Sequence, residues 1–150
     1  MECRASVMLF READVTIIGS AYRPRFYLLH NYFGWCFGMW GYYHTHEEFE
    51  LNRKFEIYSF LHSGDQKFSV DGQVIMTAAD TPDLKEDTTV VLFGRSTVRL
   101  YNVELLKNGV KLRDFIPVRV GEVGYMYDQV SGELFGNAGS GSFILGPDID

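Results

Sequence analysis

Two dipeptides constrain this chain more than any other feature of it. Asp71-Gly72 falls between Lys67–Val70 and Gln73–Met76, and Asn108-Gly109 between Val98–Lys107 and Val110–Phe115. Both dipeptides tolerate positive φ at the two central positions of a type I′ turn, so each predicts a β-hairpin. Ser63-Gly64-Asp65 predicts a third, joining Phe55–His62 to Lys67–Val70. Ser131-Gly132 predicts a fourth, between Tyr125–Val130 and Glu133–Phe135. Several hairpins at short spacing point to an antiparallel all-β sandwich or barrel.

The segments between the turns agree. Phe55, Ile57, Ser59 and Leu61 share one face of a period-two ribbon, and Glu56, Tyr58, Phe60 and His62 share the other. That alternation fits a sheet with one wetter face. Cys3–Phe10, Val15–Ile18, Arg25–Phe33, Thr88–Phe93 and Val98–Leu106 read as further strands. Thr77–Asp87, with Pro82 and several acids, reads as a surface loop in which Asp83–Asp87 makes one helical turn at most. No amphipathic helix, internal repeat or composition shift interrupts the 150 residues, so a single domain spanning 1–150 is expected. Aromatic residues make up 15% of the chain, enough to fill a two-sheet core.

Charge narrows the function. The net charge is −6 with no offsetting basic run, which lacks the electrostatic footprint of a nucleic-acid binder. No apolar stretch of about 18 residues is present, so no membrane span is expected. Glu2, Arg4, Arg11, Glu12 and Asp14 break the first twenty residues, which therefore hold no signal-peptide core. The two cysteines, Cys3 and Cys36, do not make a disulfide framework, and spacing alone leaves their pairing open.

Three constellations have chemical potential. In His44-Thr45-His46-Glu47-Glu48, His44 and His46 fall on one side of a strand, where His30 or His62 could complete a metal site; a polar loop is the plainer reading. Glu48 and Glu50 share a strand face, but the Glu-x-Asp-x-x-Glu spacing of laminarinase-type glycosidases is missing. No Gly-x-Ser-x-Gly elbow and no phosphate-cradling loop occurs; the glycines of Gly136–Gly141 read as turn glycines. The third constellation is the aromatic run Tyr32–Tyr43. Its Trp35 and Trp40 have opposite parity, so in one regular strand they face opposite sides. Aromatic faces stack on sugar rings, and Trp and Tyr add a polar handle. Trp35, Trp40, Tyr42 and Tyr43 are therefore candidate ligand contacts, against the alternatives of core packing or a subunit interface.

The C-terminal third carries a specific pattern. Tyr101-Asn102-Val103-Glu104-Leu105 and Lys107-Asn108-Gly109 lead to Leu112-Arg113-Asp114-Phe115-Ile116-Pro117-Val118. Gly124-Tyr125-Met126-Tyr127-Asp128, Ser131-Gly132-Glu133-Leu134-Phe135, Asn137–Phe143 and Gly146-Pro147 follow. This order over Leu100–Pro147 resembles the LamG-like (concanavalin A-like lectin/glucanase) domains of phage virion and gut-bacterial surface proteins. Upstream, Ile17-Ile18-Gly19, Phe68–Gly72 and Val90–Arg95 fit the expected strand slots more loosely.

The resemblance implies a two-sheet antiparallel jelly roll in which Asn137–Phe143 forms a closing strand. It also implies that a usual first strand, ahead of Cys3–Phe10, is missing, leaving an edge open to a strand-donating partner. Arg113 and Asp114 are expected to cap a turn, and Asp128 to accept backbone N–H groups at the next one. The function it implies is a non-catalytic module that recognises glycan within a virion or cell-surface assembly. Trp35, Trp40, Tyr42, Tyr43, His44 and His46 would then make the contacts. No cofactor is expected. Calcium occurs in some relatives of the fold, but no acidic cluster here has a calcium-binding spacing. The alternatives are a structural virion protein that self-associates through the jelly roll and a small glycoside hydrolase.

Overall fold

A computed structural model of the chain describes residues 1–9, 15–20, 24–31, 34–39, 50, 52–62, 65–78, 90–94 and 98–147. Among them no helix occurs, and twelve strands form two antiparallel sheets. The strands are β1 (Glu2–Leu9), β2 (Val15–Ser20), β3 (Pro24–Asn31), β4 (Gly34–Met39), β5 (Lys54–His62) and β6 (Asp65–Val70). They continue with β7 (Gln73–Ala78), β8 (Val90–Gly94), β9 (Val98–Lys107), β10 (Val110–Val120), β11 (Val123–Asp128) and β12 (Glu133–Phe135). The long sheet has the order β12-β11-β10-β9-β1-β5-β6-β7, and the short sheet β4-β3-β2-β8.

The anticipated turns form where the glycines stand. Asp71 and Gly72 adopt φ of 49° and 80°, and Asn108 and Gly109 adopt 53° and 76°. His62 pairs with Asp65 across the β5–β6 ladder. Gly132 takes φ of 75°, and its N–H donates to the Asp128 carbonyl at 2.8 Å. A further hairpin turns at Gly121, with φ of 60°, and carries β10 five residues past the Phe115 end of the predicted strand.

The long sheet's core face is lined by Cys3, Ala5 and Val7 of β1, Phe55 and Ile57 of β5, Phe68 of β6 and Val103 of β9. Phe68, Cys3 and Val7 have no accessible surface at all. Burial of a side chain such as Phe68 or Val7 stabilises the fold by roughly 1.5–3 kcal/mol. Phe93 of β8 joins the same cluster, and this contact ties the short sheet to the long one. Its backbone sits at φ of 52°, a left-handed conformation that costs a bulky residue about 1–3 kcal/mol. Burial of the ring offsets that cost.

β1 pairs with β5 on one side and β9 on the other, so it lies inside the long sheet. The outermost strands of the long sheet are β7 and β12. The expected closing strand at Asn137–Phe143 is not a strand. The last ladder partner is β12, and residues 136–147 run on without sheet pairing. Bends at 138–141, with Gly141 at φ of 93°, turn this segment away from an extended edge.

Candidate functional site

Opposite the core face, the long sheet presents a row of charged and aromatic side chains. Strand alternation puts Glu2 and Arg4 on this outer face of β1, because Cys3 and Ala5 face the core. Register then aligns Arg4 with Tyr58 of β5 and with Glu104 of β9, and Glu104 with Asp114 of β10. One rung thus runs Tyr58–Arg4–Glu104–Asp114 across four strands.

A bulge completes the row. Between Lys111 and Arg113 the β9–β10 register slips, leaving Leu112 as the extra residue. Without the slip, Lys111 and Asp114 would lie on opposite faces. With it, Lys111 Nζ reaches Glu104 at 2.8 Å and Asp114 at 2.7 Å. These two carboxylates, Asp114 foremost, hold the Lys111 ammonium protonated above the usual lysine range. Arg4 lies 3.8 Å from Glu2 and 4.0 Å from Glu104, with its guanidinium 5.6 Å from the centre of the Tyr58 ring. The Tyr58 hydroxyl donates to Glu2 Oε2 at 3.0 Å. A third cation, Lys54 Nζ, stands 4.7 Å from the centre of the Tyr101 ring.

Beside this rung is an open depression lined by Arg4, Glu56, Ile57, Tyr58 and Gly72. The Asp71-Gly72 turn forms its rim and is tightly held. Asp71 Oδ1 accepts the Glu56 N–H at 2.8 Å, and Asp71 Oδ2 pairs with Arg53 at 2.6 Å. Burial alone would raise the Asp71 pKa, but the Glu56 N–H and Arg53 outweigh it and hold the carboxyl below its usual range. The surface offers a guanidinium donor, carboxylate acceptors and an aromatic ring. The carboxylates of this stretch and its rim (Glu2, Glu56, Asp71, Glu104, Asp114) are nearly balanced by cations (Arg4, Arg53, Lys54, Lys111), so the surface favours neither a strongly anionic nor a strongly cationic ligand.

Of the ligand contacts expected from sequence, only Trp35 is among the described residues. Trp35 lies on β4, an outer strand of the short sheet, opposite His30 of β3 in the ladder. Trp40, Tyr42, Tyr43, His44 and His46 lie outside the described residues, as does Glu48. Glu50 is exposed and faces Arg53 at 3.8 Å. Among the described residues no group of three or more His, Cys, Asp or Glu side chains is arranged to hold a metal. No helix among them is long and apolar enough to cross a membrane. Cys3 is a free, buried thiol, pushed up to about 12 by burial, with the Ser59 hydroxyl pulling the other way.

Sequence reasoning put Glu56 and Tyr58 on the wetter face of β5 but did not single out Arg4. The signal available was the Glu2-x-Arg4 alternation. Its cross-strand partners exist only through register. No family model, curated protein or solved structure matches the chain.

Proposed function

We propose that the chain is a non-catalytic binding module of the LamG-like jelly-roll type, recognising neutral glycan within a virion or bacterial-surface assembly. The observation that carries the reading is the Tyr58–Arg4–Glu104 rung beside an open depression on a sheet face. A hydroxyl-rich ring needs donors, acceptors and an aromatic neighbour held in fixed positions. The ladder fixes all of these at once. The jelly-roll reading draws support from the wiring, since the chain passes between sheets at β1–β2, β4–β5, β7–β8 and β8–β9 and returns β9 beside β1.

The test is a glycan-array screen of the full chain, with calcium and with chelator. Saturable binding of a neutral oligosaccharide, lost in Arg4→Ala and Tyr58→Ala, is expected. Binding lost instead in Trp35→Ala or Trp40→Ala would move the site to the aromatic run. Binding lost only with chelator would make it a metal-bridged site. A blank array from folded protein overturns the glycan reading.

A second reading is a structural protein that assembles through its sheets. It is favoured by the apolar residues left exposed on the C-terminal meander, among them Val120, Val123, Leu134 and Phe135.

A further inference from the structure

The chain's own tail lies against Gly124 on the core face of the C-terminal meander. Beyond the Phe115–Val103 pair, β10 continues with β11 as its only ladder partner among the described residues. On the core face of this extension, Phe115, Met126 and Phe135 form an apolar bed. Met126 pairs with Phe135 across β11–β12, and the Phe115 and Phe135 rings meet edge to face at 5.5 Å. Gly124 of β11 is buried on the same face.

The tail seats on that glycine. A Cβ at Gly124 would stand 3.0 Å from Leu145 Cδ2 and 3.1 Å from Phe143 Cβ. The absent side chain is therefore a cradle, and residues 143 and 145 occupy it. Ile144 between them is 90% exposed. The tail has the in–out alternation of a strand with no ladder bonds to hold it. It is joined to the sheet by Gly136–Ser142, a segment exposed at every position. Within that segment Asn137 Nδ2 reaches the Ser140 and Gly141 carbonyls only at 3.4 Å, and Asn137 Oδ1 accepts the Gly139 N–H at 3.0 Å.

We infer that residues 142–147 are an exchangeable arm, which fills the Gly124 cradle of its own chain when alone and that of a second copy when the protein assembles. Three features carry this. The seat is matched to this segment, since even one added Cβ at 124 would press on it at 3.0–3.1 Å. The arm takes no part in a sheet ladder, so its release breaks no strand pairing. Its tether is glycine-rich, which lets a short element leave and re-dock in trans. The inference does not depend on glycan recognition, because the cradle lies on the face opposite Arg4 and Tyr58.

In a single chain the tether keeps the arm at an effective concentration of about millimolar, which hides exchange at ordinary dilution. Two full-length variants remove that competition. Gly124→Val fills the cradle and frees the arm, whereas the double variant Phe143→Ser/Leu145→Ser empties the cradle and disables the arm. Light scattering coupled to size exclusion should find each variant monomeric alone and a particle of doubled mass in the equimolar mixture. A mixture that stays monomeric, with both variants folded by circular dichroism, overturns the inference. Should Gly124→Val not fold, a peptide of residues 142–147 is titrated onto the double variant by fluorescence anisotropy. Saturable binding, at least about tenfold tighter than to the unmodified chain, is expected. Equal or absent binding overturns the inference.

Discussion

Asp128 holds the C-terminal meander together, and its removal has a calculable effect. The side chain is fully buried. Oδ1 accepts the N–H groups of Asp114 at 2.9 Å and Val130 at 3.1 Å. Oδ2 accepts the Ser131 hydroxyl at 2.9 Å and lies 3.5 Å from Arg113 Nε. A hydrogen bond to a charged group contributes about 1.5–3 kcal/mol, and a buried donor left unpaired costs about 1–3 kcal/mol. The bonds share one acceptor and do not add fully, so Asp128→Ala should cost about 3–4 kcal/mol. Asp128→Asn keeps an oxygen for both backbone donors and loses the charge. It should cost about 1–2 kcal/mol, with little of that from the partly exposed Arg113. At about 2–4 °C per kcal/mol for a chain of this size, Tm falls by about 6–16 °C for the alanine variant. Urea and thermal denaturation followed by circular dichroism give both numbers. Acidity supplies a second readout. Burial alone would raise the Asp128 pKa, but the N–H groups, Ser131 and Arg113 reverse this and hold it below the unfolded value of about 3.9. The ionised side chain therefore contributes its stability in full above about pH 4, and loses it as pH falls through the folded-state pKa. The gap between wild type and Asp128→Asn should narrow over that window. An alanine variant within about 0.5 kcal/mol of wild type, or an asparagine gap that ignores pH, would refute this account.

Gly72→Ala and Gly109→Ala should each cost about 1 kcal/mol in urea denaturation, because the φ values of 80° and 76° strain any side chain while open space surrounds both positions. A loss several times larger would mean contacts other than backbone strain. Phe68→Ala should cost about 3–5 kcal/mol, since its ring has no accessible surface and its removal leaves a cavity in the core cluster; a loss under about 1 kcal/mol would contradict that packing. Cys3, pushed up to about 12 and fully buried, should resist a maleimide in the native protein and react only as urea unfolds it. Rapid native labelling at Cys3, identified by peptide mapping, would refute its burial.

How much of this was legible in the sequence depends on the range of the interaction. The hairpins at Asp71-Gly72 and Asn108-Gly109 were, because positive φ is a demand that two adjacent residues answer alone. So was the face assignment of β5, where Phe55, Ile57 and Ser59 are buried while Glu56 is exposed. So was Asp128, whose bond to the Val130 N–H spans two residues. The central position of β1 was not. Its partners are some 50 and 100 residues away, and period-two alternation carries no strand order. The Lys111–Asp114 contact was hidden as well, because plain alternation puts residues three apart on opposite faces and only the Leu112 slip reunites them. Asn137–Phe143 divided the two kinds of evidence: the resemblance implies a closing strand there, the glycines taken alone imply turns, and the segment makes no sheet pairing.

The same alternation separates the two surfaces on which the functional readings rest. From Arg4 through Glu104 and Asp114, register carries the charged rung along the outer face, with Ile116 and Val118 next in phase on β10. Phe115, Pro117 and Arg119 point the other way, and Arg119 is the ladder partner of Gly124. A ligand held by Arg4 and Tyr58 and an arm seated on Gly124 are therefore on opposite sides of a single sheet. Substitutions on one side leave the other chemically intact, and only a change in the ladder itself reaches both. Asp128 sits at that junction, joining β11 to the Asp114 backbone on one side and to the following turn on the other. If the module both binds and assembles, its destabilised Asp128 variants should lose the two properties together, whereas Arg4→Ala and Gly124→Val should lose them one at a time.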